Sequence, residues 1–404
     1  MRFLSFCTLL TIVCLLTGCE DTVQVSSVER ENLFTLDIGK LEDQLALFGL
    51  EGGIRSTDVA MRDGLFYISD SNGGKILRFN SYGDLLFMIY NEETNPPPLS
   101  LRPLSNDTLV TRWAISYPLL EPGQITVDSR KHIYVRDRLP YERHSFDSES
   151  RSLLDSVILH FDGDGRFVTY LGREGIGGSP FPRIDGLYTS IRDELVVVCR
   201  LPAGWDIYWF DSNGFFLFLI QLKAQDLPIP PDRDNNIIPS MDMITVAPDE
   251  RKLYVKLDYY IHTFDESTNM RTGIEIDSSV IWEMNAEDGV WERPLDVPFY
   301  EYTVIEQNRR STTRVLYSLL GAAKDGHLFL YFPVEGGYSI LIITPELGIT
   351  MGRHQGFIRV DNNELQYNVF DLSTDGILSG LLVDDWQVKL VWWRTDKLLE
   401  EVTL

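Results

Sequence analysis

Short apolar strands separated by polar turns recur along most of this chain. The segment LFYISDSNGGKILRFNSYGDLLFMI, residues 65–89, predicts three strands and two tight turns. Its strands are rich in β-branched and aromatic residues, and its turns contain Gly, Asp, Asn and Ser. Because strands this short cannot bury their own apolar face, the pattern predicts copies of itself elsewhere.

Six segments share one layout: a strand, a tight turn, a second strand, a connection, a third strand, a tight turn and a fourth strand. In the second segment the strands are GQITV, HIYVRD, VILHF and RFVTYL, and in the third GLYTSI, ELVVVCR, DIYWF and FFLFLI. Four-stranded units repeated around a ring form a β-propeller. The sequence therefore predicts an all-β fold, a six-bladed β-propeller of four-stranded antiparallel blades over residues 33–404. The segment LFTLDIG, residues 33–39, is expected to complete the last unit and so close the ring.

The first unit resembles an NHL repeat. Asp70 follows the second strand, and a turn of small residues comes next. The third strand begins with a basic residue followed by apolar ones, and it ends in a Phe-x-x-x-Gly sequence that starts at Phe79. The second and third units share the latter half of this pattern, and the last three resemble it weakly. The resemblance implies the six-bladed NHL-type propeller, which is found in many bacterial lipoproteins. It does not assign a function, because propellers serve as enzymes, scaffolds and sensors.

The amino-terminal segment has the features of a secretory signal. Arg2 precedes an apolar run over residues 3–16, which is shorter than an ordinary membrane span. The following Leu-Thr-Gly-Cys, ending at Cys19, resembles a bacterial lipobox. That resemblance implies a signal peptide over residues 1–18, a diacylglyceryl and acyl (palmitate-type) anchor on Cys19, and a location in the cell envelope. The alternative is an ordinary signal with an incidental cysteine.

The lipid anchor would hold the protein at a membrane, and residues 19–32 are polar and predict a flexible tether to the propeller. The outer membrane is favoured over the inner one, and the periplasmic and surface sides both remain open. Cys199 would be the one remaining thiol of the processed chain, so we expect no internal disulfide. Because it lies in an apolar strand, we expect Cys199 to be a buried hydrophobic residue.

The formal charge of −24 argues against a nucleic-acid partner, because phosphate binding requires a basic surface. The sequence shows no HExxH, CxxC, GxSxG or P-loop motif, and its histidines lack the spacing of a metal site. We therefore predict no catalytic residue, no metal and no cofactor.

The strand order assigns the connections to two faces of the propeller. Turns from strand one to two and from three to four are all short, and we name their side the short-turn face. All long connections lie on the opposite side, the long-loop face: about 91–123, 138–156, 173–186, 222–241, 259–279, 298–316 and 353–367. Loops of such length are often functional, so the long-loop face is the predicted binding surface.

Candidate ligand-binding residues follow from this placement. Asp58, Gln124, Tyr188 and Met243 begin or lie on inner strands and should surround the channel mouth. Four residues of the long loops should overhang it: Arg143, Trp113, Trp205 and Tyr260. The predicted binding set is Asp70, Arg136, Asp137, Arg200, Asp258, Trp113 and Trp205. Arg, Trp and Tyr are the residues of interface hot spots. The alternative is that the aspartates bind loop N–H groups and the arginines pair with nearby acids, which would only order the loops.

Two functional hypotheses remain. The favoured one is a non-enzymatic binding or scaffold lipoprotein that uses its long-loop face for a protein or glycan of the envelope. The other is a propeller hydrolase or lyase with its active site at the channel mouth.

Overall fold

The computed structural model describes residues 25–47, 57–104, 111–230, 237–265, 267–268, 270–306, 309–345, 351–361 and 365–400. The predicted signal peptide and Cys19 lie outside these residues. The first two strands are β1 (Val25–Val28) and β2 (Arg30–Asp37). The predicted tether is therefore too long at its carboxyl end, since residues 25–28 and 30–32 are already in strands. These strands form because β1 pairs with β29 and β2 pairs with β32. The polar composition of the segment gave no sign of this pairing.

Sheet 1 contains the segment of residues 65–89. Its strands in chain order are β3 (Asp58–Arg62), β4 (Leu65–Asp70), β5 (Lys75–Asn80), β6 (Leu85–Tyr90), β7 (Arg102–Pro103) and β8 (Trp113–Ser116). The first four form an antiparallel meander, and β8 then pairs in parallel with β6. Part of the expected loop at 91–123 is therefore an added edge strand.

Sheet 2 has five strands in the order β9, β10, β13, β14, β15. A separate hairpin, β11 with β12, interrupts it on the long-loop face. The bounds are β9 (Ile125–Val127), β10 (Ile133–Arg138), β11 (Ser145–Asp147), β12 (Ser152–Leu154), β13 (Ser156–Phe161), β14 (Phe167–Gly172) and β15 (Gly175–Ile176), with a 3₁₀ turn at Tyr141–Arg143.

Sheets 3 and 4 are four-stranded antiparallel meanders. Sheet 3 consists of β16 (Ile184–Thr189), β17 (Leu195–Leu201), β18 (Gly204–Phe210) and β19 (Phe216–Lys223), followed by a 3₁₀ turn at Ala224–Asp226. Sheet 4 consists of β20 (Ile237–Val246), β21 (Lys252–Phe264), β22 (Arg271–Asn285) and β23 (Trp291–Val297).

Two of the predicted long loops turn out to be paired strands. Residues 259–279 are mostly the extended ends of β21 and β22. Residues 298–316 contain a hairpin of β24 (Tyr300–Glu306) with β25 (Arg309–Val315). Runs such as YYIHTF have the composition of strands, but they lie beyond the length of the other units, so the repeat pattern hid them.

Sheets 5 and 6 are completed by the first strands of the chain. Sheet 5 has β26 (Ser318–Ala322), β27 (Leu328–Val334), β28 (Gly337–Pro345) and β29 (Met351–Arg359), with a 3₁₀ turn at Lys324–Gly326, and β1 pairs in parallel with β29. Sheet 6 has β30 (Tyr367–Leu372), β31 (Leu378–Val383) and β32 (Gln387–Trp393), and a final turn of helix, α1 (Lys397–Glu400). The expected role of residues 33–39 is confirmed over Leu33–Asp37, because β2 pairs antiparallel with β32.

These six sheets of four to six strands are arranged in a ring. Their innermost strands contact one another in the order β3, β9, β16, β20, β26, β30 and back to β3. A cluster of buried apolar side chains fills the space between each pair of neighbouring sheets. Each sheet thus buries both faces against its neighbours, which a single short meander cannot do. The prediction of an all-β propeller is confirmed.

None of the described helices is long and apolar enough to span a membrane.

Candidate functional site

The six innermost strands enclose a central cavity of about 350 Å³. The four residues predicted to surround the channel mouth, Asp58, Gln124, Tyr188 and Met243, all line this cavity. Each comes from a different sheet. The strand order read from the sequence therefore placed these inner positions correctly.

Two carboxylic acids in the cavity tie neighbouring inner strands together. Asp58 on β3 accepts hydrogen bonds from the backbone N–H groups of Val59 (2.9 Å) and Ile125 of β9 (3.0 Å). Asp371 on β30 accepts one from the N–H of Met61 on β3 (2.8 Å). Burial raises the pKa of Asp58 to about 6 and, with the nearby charge of Asp58, the pKa of Asp371 to about 7. Asp371 was not predicted from the sequence, because it lies near the end of β30 without a recognisable motif around it.

Two other cavity side chains make the same kind of connection. The Tyr188 hydroxyl donates to the carbonyl oxygen of Ile244 in sheet 4 (2.9 Å). The Gln124 amide donates to the carbonyl oxygen of Ile184 in sheet 3 (3.1 Å). The cavity lining therefore stabilises the ring.

The aspartate at the end of β4 fastens the incoming chain to sheet 1. Asp70 is fully buried and accepts from the N–H groups of Ala46 (2.7 Å) and Gly73 (2.9 Å). The buried ammonium of Lys75 lies 3.9 Å from the Asp70 carboxylate and donates to the carbonyl oxygen of Leu41 (2.8 Å). Burial raises the pKa of Asp70 and lowers that of Lys75. The SNGG turn of the NHL-like motif is therefore an anchor for residues 41–46.

Asp137 and Asp258 also have structural partners. Asp137 accepts from the N–H groups of Leu120 (3.2 Å) and Glu121 (2.8 Å), and burial raises its pKa to about 6. Asp258 contacts the Lys256 ammonium and the Ser279 hydroxyl, both at 2.7 Å. The hydrogen bonds of Asp137 support the loop-ordering interpretation, whereas Asp258 connects two strands of sheet 4. Ligand binding by them stays a prediction.

Arg136 is the predicted cation closest to the cavity lining. It is half-buried, and its Nε donates to the Gln124 side-chain oxygen (3.3 Å). The guanidinium passes directly over Gly123, where an added Cβ would lie 2.4 Å from it. Burial lowers the pKa of Arg136, although Asp137 and Glu121 oppose that shift. A partly desolvated guanidinium gains more from an anionic partner than an exposed one does.

Arg200 lies at the end of β17, and its side chain is 53% exposed. It lies 3.9 Å from Asp185, which lines the cavity, and its guanidinium carbon is 6.0 Å from the centre of the Trp205 ring. Arg200 and Trp205 therefore form a rim next to the Gln124–Ile184 contact. The structure brings Arg136, Arg200 and Trp205 to one side of the channel mouth.

Trp113 does not lie at the channel mouth. It lies on β8, beside the outermost strand β7 of sheet 1, stacks on Phe87 with ring centres 5.8 Å apart, and donates to the carbonyl oxygen of Asp164 (2.8 Å). Asp164 belongs to a turn of the short-turn face. The expected loop returns as a strand beside β6, and this carries Trp113 away from the mouth.

The long-loop face carries apolar side chains on strands that continue beyond the ring. In sheet 4, Tyr260 pairs with Ile238 and Ile276, and His262 pairs with Ile274. Opposed residues of antiparallel strands share a face, so these side chains and Phe264 form one surface. Ile238, Phe264, Ile274 and Ile276 are 38–52% exposed. On the hairpin of sheet 2, Phe146 opposes Leu153, and nearby Tyr141 is 84% exposed. Arg143 on the same segment is exposed.

Several described arginines of the long-loop face have acidic partners. The closest contacts are Arg138 with Asp155 (3.1 Å), Arg173 with Asp147 (3.3 Å), Arg183 with Asp185 (2.8 Å) and Arg314 with Glu301 (2.9 Å). These pairs support the interpretation that many of the arginines order the loops.

One histidine pair was missed. His132 Nδ1 lies 2.9 Å from His160 Nε2, and burial, with a contribution from His132, lowers the pKa of His160 to about 4. The register of β10 with β13 explains the contact, since Tyr134 opposes His160. In the part of the chain that the structure describes, no three His, Cys, Asp or Glu side chains are grouped as a metal site would require. Cys199 is fully buried, and burial raises its pKa well above the usual range.

No protein-family model matches this chain. No curated protein matches its sequence. Among solved structures it is similar to the β-propeller domain of the Trilobed protease from Pyrococcus furiosus, with 11% identity and a TM-score of 0.37 over 90% of this chain and 94% of that one. It is also similar to a luciferin-regenerating enzyme, with 10% identity and a TM-score of 0.32 over 84% and 90% of the two chains. Likenesses this distant carry no argument about activity.

The ring of sheets itself therefore defines the class of this protein, which is a β-propeller.

Proposed function

We propose that this protein is a lipid-anchored β-propeller of the bacterial envelope that binds a protein or glycan through its long-loop face. In this proposal the sheets are the blades of an NHL-like propeller, and the anchor is a lipid on Cys19. The protein acts as a binding or scaffold module, not as an enzyme.

The observation that carries this proposal is the apolar surface on the extended strands of sheet 4. Tyr260, His262, Phe264, Ile274 and Ile276 share one face of paired strands that continue beyond the ring. Exposed apolar patches on a rigid sheet are typical of interaction sites. The hairpin of β11 and β12 adds Phe146, which is 66% exposed.

The channel mouth supplies polar complementarity beside this surface. Arg136 is partly desolvated, and Arg200 lies at the rim next to Trp205. Guanidinium groups with aromatic neighbours suit a carboxylate-bearing or hydroxyl-rich partner. A local cationic contact remains effective in a chain of net charge −24, because physiological salt screens distant charges beyond about 8 Å.

Binding is tested by capture from an envelope extract on the immobilised full chain carrying Cys19→Ala, so that lipid does not contribute. We expect the replacement of Phe264 and Ile274 by Ser to weaken capture at least about tenfold, as loss of a hot spot does. Val290→Ser, at a 53% exposed residue of the short-turn face, is the matched control and should leave capture unchanged. Equal capture by all three chains would overturn the proposal.

The lipid anchor is tested separately. Val25 follows Cys19 by six positions, so an anchor on Cys19 would hold the edge of sheet 5 within about 20 Å of the membrane. Cys19→Ala should abolish labelling by radioactive palmitate, and Cys14→Ala, within the predicted signal peptide, should not. Unchanged labelling of Cys19→Ala would rule out this anchor.

The hydrolase or lyase alternative has one observation in its favour. Asp58 and Asp371 line the cavity with pKa values raised to about 6 and 7, the range of a general acid. The backbone N–H groups that they bind favour a structural role instead. A stoichiometric divalent metal in the purified protein, measured by elemental analysis, would favour the enzyme.

A further inference from the structure

Each of the six sheets ends in an outermost strand, and five of these strands have features that discourage pairing with another chain. β7 and β15 consist of two residues each, and β1 of four. Very short edges offer few free N–H and C=O groups. β2 and β23 are longer and carry charges or proline: Arg30, Glu31 and Asp37 on β2, and Glu292, Arg293, Pro294 and Asp296 on β23.

The outermost strand of sheet 3 has none of these features. β19 has eight residues, no proline, and a single charge at its last position, Lys223. Within the described residues it pairs only with β18. Leu217 and Leu219 are 39% and 38% exposed, whereas Ile220 and Leu222 are buried against sheet 4. β19 therefore presents a long, neutral, apolar edge with free backbone groups to solvent.

Elsewhere this chain covers long edges with its own strands. β8 pairs in parallel with β6, and β1 pairs in parallel with β29. Both covered strands resemble β19 in length, with six and nine residues, and β6 is also uncharged. Adding a strand is thus how this fold completes two of its long edges, and sheet 3 has no such strand among the described residues.

We propose that β19 pairs antiparallel with β19 of a second copy of this chain, about a twofold axis through Leu219. In this register each Leu219 opposes its counterpart, and each Leu217 opposes Gln221 of the other copy. Opposed residues then share a face, because exposed and buried positions alternate with period two. A closed twofold contact of this kind yields a dimer and leaves no free edge for further addition.

The neutrality of β19 favours a second copy over a basic partner strand, because this edge offers a basic strand no opposite charge to pair with. Residues 216–222 carry no charge, so two chains of net charge −24 meet there without facing acids. Repulsion between the rest of the two molecules is screened by salt. The dimer should therefore tighten as salt rises from 50 to about 500 mM, whereas a complex with a basic strand would weaken.

Sedimentation of the full chain in density-matched detergent tests this proposal. We expect a concentration-dependent dimer, and Leu219→Lys should weaken it at least about tenfold by placing two like charges opposite each other. Val290→Lys, which adds the same charge at an exposed apolar residue of the short-turn face, should leave the dimer unchanged. A monomer at every concentration, or a dimer indifferent to Leu219→Lys, would overturn the proposal.

A second variant gives a direct readout that does not depend on weakened binding. Opposed Cβ atoms of antiparallel strands lie about 4.5–5.5 Å apart, so a short bifunctional maleimide should link the thiol of Leu219→Cys to its counterpart. Val290→Cys should give no more linked dimer than the unmodified chain. Absence of a cross-link at residue 219 would contradict the twofold register.

Discussion

The two faces of this propeller are built by different rules. On the short-turn face, three turns between third and fourth strands use one hydrogen-bond pattern. Asn80, Asp162 and Asp211 each accept, through one side-chain oxygen, the N–H groups two and four positions later. Such side-chain caps are local, so every unit can carry one.

On the long-loop face no two described connections are alike. One is an added edge strand, one a small hairpin, one an extension of β21 and β22, and one the separate hairpin of β24 and β25. Long-range contacts hold them, such as Lys75 with Leu41 and Asp137 with Leu120. The turns of the short-turn face therefore repeat one local structure, which keeps the ring regular. The connections of the long-loop face differ from one another, so that face presents different side chains at each sheet.

The largest expected effect is the loss of unfolding free energy caused by Asp70→Ala, which removes an anchor of the long-loop face. Asp70→Ala removes the acceptor of two N–H groups and leaves the buried Lys75 without its carboxylate. Loss of one partner of a buried pair costs about 3–5 kcal/mol of unfolding free energy, measured by urea denaturation. Asp164→Ala, which breaks an exposed pair with Arg166 on the short-turn face, should cost at most about 1 kcal/mol. Equal costs would remove the distinction between the two faces.

The second prediction ranks three arginines by burial, once a partner has been captured. Arg136→Ala should weaken binding by about 2–5 kcal/mol, because its guanidinium is partly desolvated, whereas exposed Arg200 should contribute less. Arg130, which pairs with Asp128 on the short-turn face, should have no effect. Titration calorimetry measures all three, and an effect of Arg130→Ala as large as that of Arg136→Ala would mean that the faces are misassigned.

The third prediction concerns how the stability of the ring depends on pH through the carboxyl group of Asp371. The pKa of Asp371 is about 7 in the folded protein and about 4 in an unfolded chain. The stability contributed by its protonation is therefore complete below about pH 4 and is lost as pH rises through about 7. Asp371→Asn keeps an acceptor for Met61 without the charge, so the variant should gain stability relative to the native chain between pH 5 and 8. Parallel stability profiles would show that this carboxyl does not titrate there.

The smallest effect concerns a single turn. Asp211→Ala removes the acceptor for the N–H groups of Asn213 and Phe215. These groups lie at the surface, where water replaces the carboxylate, so we expect a loss of about 1 kcal/mol. Partner binding should not change, because the turn belongs to the short-turn face.

The sequence predicted the parts of the molecule that local rules determine. Turns such as DGDG and DSNG, the inner strands and the closure by Leu33–Asp37 followed from patterning and repeat length. The position of Trp113 did not, because a chain segment between two strands can return as a strand of the same sheet or stay a loop with the same composition. Asp371 was missed since only the curvature of the ring brings it to Met61.

The central claim is that partners contact the long-loop face, and one photo-crosslinking experiment tests it most directly. Tyr141 and Tyr82 are almost equally exposed, at 84% and 87%, and lie on opposite faces. Each is replaced in turn by p-benzoylphenylalanine in the full chain, and cells are irradiated before the envelope is analysed. The account predicts a specific cross-linked product from position 141 and none from position 82. Cross-links from position 82 alone, or equally from both positions, would contradict it.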